Sequence, residues 1–186
     1  SIPITQDNMC KFGALDIDTY DLDLKALNDK VHEMNLPLIM CRSKSGGAHL
    51  YLFTKDWEPA ALVREYLTAM SVALGYSGCE IFPKQDKILA DRGDVGNFIN
   101  MPYFGGDITT RYALDAKGDS MTMAQFHKAV GKARVSASDL DAMSFGGERS
   151  HFTDGPYCLE VIASQGAVTE FRNIFMFNVG VYCRFK

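Results

Sequence analysis

The chain changes hydrophobic period repeatedly along its first hundred residues, and each change predicts an element. In "CKFGALDID", Phe12, Ala14, Asp16 and Asp18 fall on one face and Leu15 and Ile17 on the other, the two-residue repeat of a strand. "LKALNDKVHEM" sets Leu24, Leu27, Val31 and Met34 at helical spacing, and Pro37 closes it. "LPLIMC" reads as a short strand. After a Ser/Gly loop, "AHLYLF" alternates, with His49, Tyr51 and Phe53 opposite Leu50 and Leu52. Pro59 suits the first turn of a second helix, striped by Leu62, Tyr66, Met70 and Ala73 and ended by Gly75.

Farther on, "CEIFP" and "GNFINMPYF" predict two more short strands joined by the polar loop 84–96, and "TRYALD" an edge strand before the turn at Lys117-Gly118. Thr122 and Gln125 form a capping box for a helix to about Lys132, carrying Met123, Phe126 and Val130. A Ser/Gly/Asp-rich connector covers 136–155, followed by helices at "CLEVIASQ" and from Thr169 onward. The order β-α-β-β-α-β-β predicts an α+β sheet domain over 1–135, then a small helical module over 156–186.

Composition narrows the class. Of 186 residues, 47% are apolar and 23% charged, as in an ordinary globular protein. No apolar run approaches the ~20 residues of a membrane span, and no signal segment opens the chain, so an intracellular protein is expected. Cys10, Cys41, Cys79, Cys158 and Cys183 are scattered without a C-x-x-C pair, which argues against both a disulfide framework and a zinc ribbon. The start at Ser1 and the apolar end "NIFMFNVGVYCRFK" lead us to expect a piece of a longer chain.

A net charge of −4 disfavours nucleic-acid binding unless charge is segregated. It is segregated. Asp16, Asp18, Asp21, Asp23 and Asp29 crowd the beginning, whereas Lys84, Lys87, Arg92, Arg111, Lys128, Lys132 and Arg134 populate the middle.

Asp16 and Asp18, two apart on a strand, project from one face and repel unless a cation lies between them, which suits Mg²⁺ or Mn²⁺. A bare D-x-D also occurs at solvated strand ends. The turn at Ser43, Lys44 and Ser45 offers backbone and side-chain donors for an anion, with His49 just beyond it; the plainer reading is a hairpin with an exposed histidine. Glu80, between Cys79 and Ile81, is costly in an apolar strand without a partner, though a strand-edge glutamate facing water has the same pattern. Lys84 and Gln85 follow it closely. Two aspartates, a third carboxylate and a phosphate-binding loop describe two-metal phosphoryl chemistry. From the residues, nucleotidyl transfer and phosphodiester hydrolysis remain equally open.

"FGALDID", "RSKSGGAHLYLF" and "EIFPKQD" followed by "GNFINMPYF" resemble, in that order, the catalytic motifs of the archaeo-eukaryotic primase superfamily, above all primase-polymerases of phages and mobile elements. The likeness covers Lys11 to about Tyr112. "PYCLEVIASQGAVTEFRNIFMFNVGVY" is similar to the helical primase C-terminal module that precedes a helicase, with Arg172-Asn173 matching its "RN", although Glu170 and Phe171 stand where that module commonly has a Gly.

The resemblance implies an RRM-like sheet packed with a second α/β unit, part of which would lie upstream of Ser1. It implies metal ligation by Asp16, Asp18 and Glu80, the last a mild departure from the usual Asp. It implies phosphate contact by His49 beside Ser43, Lys44 and Ser45, with Lys84, Gln85 and Asn97 near nucleotide or template. The implied partners are a single-stranded DNA template, nucleoside triphosphates and a helicase, in the cytoplasm (of a bacterial host, if phage-encoded).

Two rival readings stand beside this one, the first on the same carboxylates and the second on aromatic side chains. A metal-dependent nuclease commonly has Lys two residues after its final acid, where Phe82 stands here. A non-catalytic RRM-like module would stack bases on Tyr51, Phe53 or Phe98. A rolling-circle endonuclease is poorly supported, since the sequence contains no His-x-His pair.

Overall fold

A computed structural model describes residues 1–19 and 21–143. Ser1–Ala142 form one compact unit. The helical module expected over 156–186 lies outside the described residues, as do its Arg172-Asn173 pair and most of the connector.

The elements are β1 (Met9–Ile17), α1 (Leu24–Glu33), β2 (Leu38–Arg42), β3 (Ala48–Pro59), α2 (Ala60–Leu74), β4 (Glu80–Phe82), a 3₁₀ turn (Ala90–Arg92), α3 (Met123–Ala133) and α4 (Ala137–Asp141). The four strands form one antiparallel sheet in the order β2-β3-β1-β4, giving the expected α+β class. Local chemistry fixes the helix ends. The Asp23 carboxylate accepts from the Ala26 amide at the start of α1, and Gly75 ends α2 in the left-handed conformation. The Thr122–Gln125 capping box opens α3.

Both faces of the sheet are covered, which the alternation of "AHLYLF" alone does not disclose. On one side, Leu15, Leu50 and Met40 lie in register. Here α2 presses on β1, for a Cβ at Gly13 would stand 2.6 Å from Leu67 Cδ1 and 2.7 Å from the Phe82 carbonyl oxygen. On the other, Ala14, Ile39, Tyr51 and Phe82 form a second core with Ile99, Tyr103, Phe126 and Val130. Segment 99–114 and α3 therefore roof the face that carries His49.

Three sequence expectations change. "GNFINMPYF" is not a strand: Ile99 exchanges backbone hydrogen bonds with Ser1 alone (2.7 and 2.8 Å), and the left-handed Gly96 and Tyr103 bend the chain on either side. "TRYALD" makes only a short bridge to the sheet edge, through Arg42 N–H to the Tyr112 carbonyl and Leu114 N–H to the Met40 carbonyl, each 2.9 Å. Within the expected connector, Ser136 caps α4, which is tied down by Lys55–Asp139 at 2.9 Å and by the Tyr66 hydroxyl donating to Asp141.

Candidate active site

The register brings distant residues into one row. Asp16 of β1 lies opposite His49 of β3 on one side and Glu80 of β4 on the other, so all three side chains leave the same face. His49 is buried, and its Nε2 stands 3.2 Å from Asp16 Oδ1. Its Nδ1 is 3.3 Å from the Tyr51 hydroxyl, which donates to the Asn100 carbonyl at 2.7 Å. The ring is thus held edge-on to the carboxylate by a tyrosine that is itself anchored to the roof.

Asp18 lies one residue past the end of β1 and is exposed; it accepts from the Ser45 hydroxyl at 3.2 Å. Ser45 Oγ is also 3.1 Å from Ser43 Oγ. The loop closes on itself, Ser43 N–H to the Gly47 carbonyl at 2.8 Å and Gly46 N–H to the Ser43 carbonyl at 3.3 Å, so these two amides are not available to an anion. Its exposed donors are the Ser45 hydroxyl and the Lys44 ammonium. Gly47 is where loop and strand touch, since a Cβ there would meet the Ile17 carbonyl oxygen at 2.3 Å. Arg42 lies along the loop, its guanidinium donating to the carbonyls of Ser43 and Thr110 at 3.4 and 3.2 Å.

Glu80 begins β4 as an exposed residue, resolving its cost by pairing with Lys84 Nζ at 2.8 Å; that ammonium also lies 5.2 Å from the Phe82 ring centre. Gln85 donates to Asn97 Oδ1 at 2.5 Å, so these two candidates meet each other, and Gln85 Oε1 is buried without a partner among the described residues. Arg64 of α2 secures this turn, donating to the Pro83 carbonyl and pairing with Asp86 at 2.6 Å.

Asp16, Asp18 and Glu80 border one cleft of about 370 Å³, whose opposite wall is Gly75–Cys79. The sequence reading missed that wall. "GYSGC" repeats the Gly/Ser character of the 43–47 loop immediately before an acidic strand, a signal that could have flagged it. Burial, with the nearby Asp16 charge adding to it, pushes the Cys79 thiol up to about 11, so it faces the cleft uncharged at neutral pH.

Among the described residues, no three carboxylate, imidazole or thiol groups are clustered to hold a metal by themselves. The oxygen donors nevertheless suit a small hard cation. Mg²⁺ takes one or two carboxylates and completes its shell with water and substrate phosphates, and carboxylates at the rim of an open cleft offer that. Of the rings a binding module would use, Tyr51 is buried and Phe53 half-buried, while Phe98 is 69% exposed.

An antiparallel sheet covered on both faces, with Asp16 and Glu80 opposite each other across its strands, is consistent with a primase core. The family described as "TOTE conflict system, Archaeo-Eukaryotic Primase domain" matches residues 2–124, and the chain belongs to it. Comparison with curated proteins finds no match. At family level this is a primase-like nucleotidyltransferase domain, a kind that binds nucleic acid and nucleotides and typically uses divalent metals. Every candidate site residue falls inside the matched span. No helix among the described residues is long and apolar enough to cross a membrane.

Proposed function

We propose that the chain is a DNA-dependent primase-polymerase, joining nucleoside triphosphates on a single-stranded DNA template. The observation that carries the proposal is the cross-strand row His49–Asp16–Glu80 at the rim of a cleft that Asp18 also lines. The primer 3′-hydroxyl oxygen attacks the α-phosphorus as its proton passes to water, the bond to the β-phosphate's bridging oxygen breaks, and pyrophosphate leaves. Asp16, Asp18 and Glu80 would hold Mg²⁺ or Mn²⁺, which neutralises charge on the phosphates and lowers the pKa of the attacking hydroxyl.

The remaining roles belong to side chains. His49, fixed by Tyr51 at Nδ1, orients Asp16 through Nε2 toward the phosphates. Lys44 and Ser45 meet the triphosphate from the loop side. Lys84 leaves Glu80 for the same phosphates, and Gln85 with Asn97 lines the approach of nucleotide or template. A replicative phage or mobile-element setting, a helicase partner and a cytoplasmic location rest on the sequence resemblance; the family description supplies a conflict system as the setting.

The test is template-dependent synthesis with labelled nucleoside triphosphates and Mg²⁺ or Mn²⁺, with and without primer, comparing wild type with Asp16→Asn. Products from the wild type alone support the proposal. Shortening of the template without synthesis would transfer the same carboxylates to a nuclease.

A further inference from the structure

Segment 97–108 runs from the site to α3. At its start Asn97 holds Gln85 and the Asn100 carbonyl holds Tyr51; at its end Asp107 accepts from the first amide of α3, Met123 N–H. Along its length it exposes Phe98 (69%), Met101 (56%), Phe104 (77%) and, just past Asp107, Ile108 (96%). Arg111 lies 5.7 Å from the Phe104 ring centre. Such a run of exposed large apolar side chains marks an interaction surface.

The helix that this segment reaches is basic. From Thr122 to Val135 the chain contains Lys128, Lys132 and Arg134, all exposed, and neither Asp nor Glu, in a protein of net charge −4. Phe126 and Val130 face the sheet core, so Lys128 and Lys132, one turn apart, share the outward side. Phe126 packs against Phe53, four residues along β3 from His49, which places this helix about 13 Å from the acidic row at the usual strand rise.

We infer that this strip and the outer face of α3 form the path of the single-stranded template into the site. The inference rests on the nucleotidyl-transfer reading and assigns its partner a surface. A single strand is the occupant whose chemistry matches both halves: flat π-faces for Phe98 and Phe104, and one phosphate per nucleotide for Lys128, Lys132 and Arg111. An acidic peptide would use the cations and leave the rings unsatisfied.

The experiment is fluorescence anisotropy of a labelled oligothymidylate with the full chain, over a series of salt concentrations and without nucleotide or metal. Phe98→Ala/Phe104→Ala weakens binding by about five- to a hundredfold per ring, with the salt slope preserved. Lys128→Gln/Lys132→Gln lowers the log–log salt slope by about 0.7 per lysine. All four side chains are exposed, and matched thermal melts check that folding is intact. Wild-type affinity and slope in both double variants overturn the inference. So does a wild-type self-association that Phe98→Ala/Phe104→Ala abolishes while strand binding stays unchanged, for the strip is then an interface between copies. Strand binding through the strip by a wild type that makes no product overturns the transfer reading alone.

Discussion

His49 Nε2 and Asp16 Oδ1 meet at 3.2 Å although 32 residues separate them, because β1 and β3 pair antiparallel with those two residues opposite each other. The imidazole orients the carboxylate rather than standing as an exposed ligand. His49→Ala is expected to lower turnover by about 10²–10³-fold, the usual effect of losing one preorganised group at a charged reaction centre. Asp16→Asn should abolish turnover while leaving the thermal melt in place. Primer extension with purified variants checks both.

Tyr51→Phe removes the hydroxyl that joins His49 to the Asn100 carbonyl. A stability loss of about 1 kcal/mol is expected, with a smaller fall in turnover than His49→Ala gives. Denaturant unfolding alongside the extension assay reads the two separately. An equal fall in turnover for both variants would show that Tyr51 does more than hold the ring.

Gly47→Ala pushes a methyl group onto the Ile17 carbonyl, which it would meet at 2.3 Å. The loop has to back away from β1, breaking the Ser45–Asp18 hydrogen bond. The expected result is weaker triphosphate binding, seen as a raised KM, together with a modest drop in stability. An unchanged KM would remove the 43–47 loop from the nucleotide site.

Gly13→Ala tests the opposite face. Its Cβ would contact Leu67 and Val63 and also the Phe82 backbone, which cannot rotate aside. The helix–sheet spacing must open, at a cost of about 1–3 kcal/mol. Since Phe82 belongs to β4, the variant should also disturb Glu80, so turnover falls further than the change in Tm implies.

Asp139 supplies a pH-dependent link. The Ser136 amide first, then Lys55, hold its carboxyl well below the usual carboxylate range. A depressed folded-state value contributes stability above the unfolded carboxylate pKa of about 3.9, and that contribution is lost as pH falls through the folded value. Asp139→Asn should therefore melt earlier than wild type at neutral pH, with the gap closing in strong acid. Melts at descending pH decide it; a gap that persists in strong acid would assign the effect to shape rather than charge.

Much of this was legible in the residues, and the illegible parts share a physical cause. Alternation in "CKFGALDID" and "AHLYLF" put Asp16 and His49 on definite faces, helical spacing bounded by Pro37, Pro59 and Gly75 located α1 and α2, and a capping box located α3, because these signals are local. Pairing of Glu80 with Asp16, burial of His49 beneath segment 99–114, and the Gly75–Cys79 wall depend on contacts between distant parts of the chain. "GNFINMPYF" has the composition of a strand, but it meets the chain's first residue instead of an extended partner, and alternation does not record which partner is present.

Glu80, finally, rides on a three-residue strand at the margin of the sheet, whereas Asp16 and His49 sit on its interior strands. Short edge strands open locally at far lower free energy than the core they adjoin. Completeness of the acidic row and integrity of the fold are thus separate equilibria. Amides of Ile81 and Phe82 should exchange with solvent deuterium well before those of Leu15 and Leu50, and a population indistinguishable from native by melting can still include molecules whose third carboxylate is out of place.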